Sequence, residues 1–140
     1  MIVDLYHLSA SPLERVLPTI CEKVMAGEGR ILVVAEDRLL ATLDEQLWTY
    51  APDSFLPHGR EGENQPVLLS PEPVSANGAR NIALADGVWR EEALGFDRAF
   101  YFFDTAGLDG ARAAWRALKG REGVESRYWK QVDGRWVQGP

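Results

Sequence analysis

Apolar and polar positions along this chain recur with two periods, and the changes of period mark its elements. Residues 2–8 (Ile-Val-Asp-Leu-Tyr-His-Leu) are rich in branched and aromatic side chains and predict a first strand. Ser11-Pro12-Leu13-Glu14 then reads as a helix start, with Ser as N-cap, Pro at the first helical position and Glu completing a capping box. Leu13, Val16, Leu17, Ile20, Cys21, Val24 and Met25 fall on one stripe and carry that helix to about Gly27, with Pro18 inside it as a bend. Arg30-Ile-Leu-Val-Val-Ala35 is a short continuous apolar run, the pattern of a strand buried on both faces. Asp37 caps a second predicted helix whose Leu39, Leu40, Leu43 and Leu47 face inward.

Strand, helix, strand, helix implies parallel strands joined by right-handed crossovers. Further strands are predicted at 66–70, 81–86 and 97–104, with a turn-rich connector over 71–78. Leu108 to Lys119 reads as a third long helix and Glu125 to Val132 as a candidate edge strand. Asp133-Gly134 then suggests a hairpin turn returning through Trp136. The expected architecture is therefore α/β, Rossmann-like and three-layered. Its sheet is mostly parallel, with helices on both sides and room for an antiparallel edge strand. No repeat or linker divides the 140 residues, which suit a single domain.

One segment does not fit this alternation. Trp48-Thr-Tyr-Ala-Pro-Asp-Ser-Phe-Leu-Pro-His-Gly59 leaves the second helix and carries aromatic and apolar residues through a predicted loop. Loops run over the surface, so this one either folds back onto the core or waits for a partner.

Composition changes the picture in one respect. Hydrophobic (46%) and charged (26%) fractions are those of an ordinary soluble domain. No apolar run is long enough to span a membrane, and the N-terminus lacks the pattern of a signal peptide. The single cysteine, Cys21, lies on an apolar helix stripe and reads as a small core residue in a reducing cytoplasm. The net charge of −6 opposes general binding to nucleic acid. Yet residues 1–110 hold 8 Lys+Arg against 18 Asp+Glu, whereas residues 111–140 hold 7 against 3. An acidic body with a basic end suggests that the end meets something negative.

Candidate chemistry is sparse. The strand-to-helix turns His7-Leu-Ser-Ala-Ser-Pro12 and Ala35-Glu-Asp-Arg38 contain no glycine, so neither can wrap a phosphate closely. His7 and His58 are the only histidines, too few for a zinc site without distant carboxylates; His7 reads as a rim residue, hydrogen-bonded or solvent-facing. The adjacent pairs Glu36-Asp37, Asp44-Glu45 and Glu91-Glu92 diverge and cannot converge on one bond. No catalytic residue, metal or cofactor is expected. On the third helix, Arg112, Arg116 and Lys119 share one face, Ala111, Ala114 and Leu118 another, and Trp115 falls on the border. That arrangement fits either a ligand both apolar and anionic, or a boundary core residue beside a solvated basic face.

The run Leu43-Asp-Glu-Gln-Leu-Trp48, followed by Ser54-Phe-Leu-Pro-His58, closely resembles the chi subunit of bacterial DNA polymerase III. The opening strand, the Glu-Asp after the second strand, the late basic helix and Tyr128-Trp129 agree, so the resemblance covers nearly the whole chain. It implies a non-catalytic replication adaptor in the bacterial cytoplasm, associated with the nucleoid, that meets DNA only through partners. One surface would bind the psi subunit of the clamp loader, or alternatively a helicase. Trp48, Phe55 and Pro57 fall in that region. A second surface would bind the acidic C-terminal tail of single-stranded DNA-binding protein, with Phe103, Arg112, Trp115 and Arg116 matching positions around the pocket. A basic position that the family carries just before this helix is replaced here by Leu108 or a neighbour. Such a small charged interface implies micromolar, salt-sensitive binding. The rival readings are a nucleotide-dependent enzyme and a direct single-stranded DNA binder stacking bases on Trp115, Tyr128 and Trp129.

Overall fold

A computed structural model describes residues 1–9, 11–49 and 57–139. Its elements in chain order are β1 (Ile2–His7), α1 (Leu13–Ala26), β2 (Ile31–Val34), α2 (Asp37–Thr49), β3 (His58–Gly59), β4 (Val67–Ser70), β5 (Asn81–Leu84), β6 (Arg98–Phe103), α3 (Leu108–Lys119), β7 (Glu125–Val132) and β8 (Arg135–Gln138). Short 3-10 turns at Glu91–Gly95 and Thr105–Gly107 flank β6.

The described strands form one eight-stranded sheet in the order β3-β4-β2-β5-β6-β1-β7-β8. Every neighbouring pair is parallel except β7 with β8, so the α/β architecture with an antiparallel edge is as expected. Helices α1 and α2 cover one face, burying Leu17, Ile20, Cys21, Leu40, Leu43 and Leu47 against Tyr6, Val33, Leu69, Phe100 and Phe102. Helix α3 and the Glu91–Gly95 turn cover the other, where Ala111, Ala114, Leu118 and Ala93 meet Val3, Leu5, Ile82, Tyr101 and Phe103. Strand β6 is apolar on both sides, because Phe100 and Phe102 feed one layer while Tyr101 and Phe103 feed the other. This two-sided burial is what its unbroken apolar run encodes.

Two details depart from expectation, the start of α1 and the segment at His58–Gly59. The start of α1 is not a Ser11 capping box: Pro12 is the residue before the helix, with no side-chain cap, and its carbonyl accepts from the Arg15 and Val16 N–H groups. Ser11 is engaged elsewhere. Its N–H donates to Gln131 Oε1 at 2.9 Å, and Gln131 Nε2 donates back to Ser11 Oγ at 2.9 Å. A partner 120 residues away thus outcompetes the local cap. Pro18 lies buried inside α1 without ending it, as the apolar stripe predicts. His58–Gly59, read as loop, pairs with Val67–Leu68 as the two-residue strand β3 at the sheet's edge.

The hairpin turn follows its sequence signal. Asp133 (φ 51°) and Gly134 (φ 76°) both occupy the left-handed region, as a tight two-residue turn between twisted strands requires. Among the described residues no helix is long and apolar enough to cross a membrane.

One buried charge ties the chain's first and last thirds together across three adjacent strands. Asp4 on β1 is fully buried and accepts from Arg98 Nε and Nη2 (3.0 and 2.8 Å), Arg127 Nε and Nη2 (2.7 and 3.0 Å) and Trp129 Nε1 (2.9 Å). Burial alone would raise the Asp4 carboxyl. Hydrogen bonds from Arg127, Trp129 and Arg98 outweigh it and hold the pKa below the usual carboxylate value.

Candidate functional site

Helix α3 forms where the sequence places it because Ala111, Ala114 and Leu118 recur at spacings of three and four and bury on the sheet. Just before it, the Asp104 carboxylate accepts from the Gly107 N–H at 3.1 Å and fixes the turn that aims the helix. Asp109 in the first turn and Arg116 and Lys119 in the last complement the helix dipole. The outward face carries Arg112, Arg116 and Lys119, all exposed, with Trp115 half-buried at the border.

The sheet completes what the helix begins. In β7, Tyr128 points to the α3 side, while its neighbour Trp129 points to the other. The Trp115 and Tyr128 rings meet edge-on at 5.9 Å, and Tyr128 in turn tilts against Phe103 at 5.9 Å. His7 stacks on Phe103 at 5.1 Å, and Lys119 Nζ lies 5.4 Å from the Trp115 ring centroid. Burial raises the Tyr128 pKa, and the positive charge of Arg112 partly offsets that rise. Tyr128 therefore stays a neutral phenol, with a guanidinium near enough for its charge to act on it.

Of the residues expected at a tail-binding surface, Arg112, Trp115 and Arg116 share one outward-facing region. Phe103 is only 2% exposed, so it backs Tyr128 rather than presenting its own ring. Among the described residues none of Arg112, Arg116 and Lys119 is in an ion pair. Aromatic area flanked by three uncommitted cations can take an apolar side chain that sits beside carboxylates. The sequence reading left out Tyr128 as a wall of this site and His7 as the layer beneath it. Strand alternation in β7 could have placed Tyr128. The environment of His7 had no sequence signal, and it differs from the one expected: its Nε2 is buried and, among the described residues, has no hydrogen-bond partner.

The second expected surface lies at the opposite end of the sheet. Trp48, in the last turn of α2, is 54% exposed, and its ring tilts against His58 at 4.8 Å. His58 is buried, with Nε2 2.9 Å from Asp44 Oδ1 on the same helix. Pro57 is half-buried beside it, and Phe55 lies outside the described residues. Trp48, at the start of the 48–59 segment, is turned outward, while residues 50–56 of that segment lie outside the described ones.

Elsewhere, Cys21 is buried and desolvation pushes its thiol up to about 12, so it stays protonated as a core residue. Among the described residues no group of three or more His, Cys, Asp or Glu could hold a metal ion.

A family model described as the DNA polymerase III chi subunit, HolC, matches residues 1–125 of the chain. No curated protein matches it.

Proposed function

We propose a function from a fixed premise: this chain belongs to the chi-subunit family of DNA polymerase III. On that premise the protein is an accessory part of the replicative polymerase. Our reading is that it serves as a non-catalytic adaptor in the bacterial cytoplasm, at the replisome on the nucleoid. It joins the clamp loader, through psi, to the acidic C-terminal tail of single-stranded DNA-binding protein.

The observation that carries this reading is the Trp115–Tyr128 corner with Arg112, Arg116 and Lys119 around it. A tail with several carboxylates and a terminal aromatic residue matches it group for group: the ring packs against the indole and phenol, and the carboxylates pair with the cations. A chain of net charge −6 gains little from bare DNA but much from a partner that presents charge locally. The Trp48 end, with its exposed indole and neighbouring Pro57, supports an apolar docking face for psi.

Fluorescence anisotropy with a labelled peptide copy of the acidic tail tests the reading. Arg112→Ala and Trp115→Ala should each weaken binding at least about tenfold, within the range for a central interface residue. Unchanged affinity in both folded variants would remove the site assignment. Phe55→Ala should weaken capture of psi and leave peptide affinity unaltered.

A further inference from the structure

We propose that the groove between α1 and the β7–β8 hairpin is a second docking site for an acidic peptide carrying a bulky apolar or aromatic residue. It lies on the face of β7 opposite Trp115. The inference takes its ligand class from the reading of the Trp115 site above.

Three rings line the groove. Trp129 stacks on Tyr6 at 6.3 Å, and Trp136 meets Tyr6 edge-on at 5.1 Å. Between these rings and α1 lies a cavity of about 450 Å³, within the range of sites that hold small molecules or single side chains. A further cavity of about 320 Å³ continues past Lys23 to Phe100 and Arg98. Together they offer an extended track rather than a single hole.

The rim is basic. Arg15 and Lys23 stand exposed on α1, two helical turns and roughly 12 Å apart along its axis. Neither is in an ion pair among the described residues. In a chain of net charge −6 this rim is a local exception, and it complements a negative ligand.

The groove is also preorganised. Trp129 is fixed by its Nε1 bond to Asp4, and the hairpin is fastened to the start of α1 by the reciprocal Ser11–Gln131 bonds. Binding therefore orders few new groups. The walls favour peptide over nucleic acid. Tyr6 and Phe100 are buried and turn no open face to solvent, which leaves only the half-buried Trp129 and Trp136 and no continuous platform for successive bases. The hairpin follows residue 125, where the family match stops, so the matched region does not include the groove's outer wall.

Alternation along β7 puts Tyr128 in one site and Trp129 in the other, so two aromatic–basic sites lie back to back across a single strand. A partner with several identical tails could then hold this chain by two of them at once, which raises avidity without any new contact.

Isothermal titration with a short synthetic peptide ending Asp-Asp-Asp-Phe tests this on the full chain. Two peptides per chain are expected. Lys23→Glu, which leaves the core untouched, and Trp136→Ala, checked for folding by thermal melting, should each reduce this to one, with the lost site weakened at least about tenfold. The double variant Arg112→Ala/Trp115→Ala should also leave one peptide, held in the groove. A wild-type stoichiometry of one that the Lys23 and Trp136 variants leave unchanged overturns the groove while the proposed function stands. If the groove variants abolish all binding and the α3 variants none, the Trp115 assignment fails instead. Oligothymidylate that binds wild type and is lost in Trp136→Ala would make the groove a nucleic-acid site and overturn the proposal.

Discussion

The two ends of the sheet are built by opposite means. One closes on β3, a strand of two residues, with Trp48 standing more than half exposed over the buried His58 ring. The other closes on an eight-residue strand and its hairpin, held by a buried carboxylate and covered on both faces by rings with cations beside them. The first end offers an exposed indole beside the acidic Asp44, whereas the second offers aromatic area inside a positive rim. A protein that must hold two partners at once benefits from this separation, because the two contacts then differ in chemistry as well as in place.

The largest expected effect breaks the second end and spares the first. Asp4→Asn removes the carboxylate that Arg98, Arg127 and Trp129 share. Arg98 and Arg127 remain 41% and 27% exposed and stay hydrated, so the loss should be about 2 kcal/mol, below that for a wholly buried pair. Chemical denaturation should show it, and peptide binding should fall with it while psi capture persists. The sign of the pH dependence follows from the lowered pKa. The Asp4 contribution is complete above the unfolded value of 3.8 and is lost as pH falls through the lower folded value. Melting temperatures taken downward from pH 5 should therefore drop more steeply for wild type than for Asp4→Asn.

Ionic strength sharpens the comparison at intermediate size. Raising salt from about 50 to about 500 mM should weaken tail-peptide binding roughly tenfold, because the cations on α3 are exposed and screened. Binding at the Trp48 end should change less than about threefold. Equal slopes at the two ends would mean they are not chemically distinct. The smallest expected effect is on stability in Trp48→Ala. With that side chain 54% exposed, unfolding free energy should shift by less than about 1 kcal/mol, although psi capture weakens several-fold.

The parts of this molecule that were readable in advance are those governed by short periods. The 3.6-residue stripe of α3 placed Arg112, Arg116 and Lys119 on the outward face with Trp115 at its border, and the two-sided apolar runs identified β2 and β6. Contacts between distant segments were not readable. Ser11 looks like a cap in isolation, and only the arrival of Gln131 gives it another role. Asp4 looks like an ordinary polar residue in an alternating strand until three donors converge on it. Tyr128 reads as one more aromatic residue of a strand, but the ring it faces sits on a helix that no local pattern links to β7. The strand at His58–Gly59 is too short for any periodicity to register.

The Asp4 cluster also sets an order of events during synthesis. Its donors come 94, 123 and 125 positions after it in the chain. Strand β1 is thus flanked only by strands that lie far along the chain from it, β6 and then β7. A nascent chain carries β1 with open hydrogen-bonding edges until β6 and β7 have been made, and contacts this far apart in sequence close slowly. A ribosome stalled before residue 98 would hold a chain in which the Asp4 carboxylate has none of these donors. The arrival of β6 and β7 decides when β1 and its carboxylate become native.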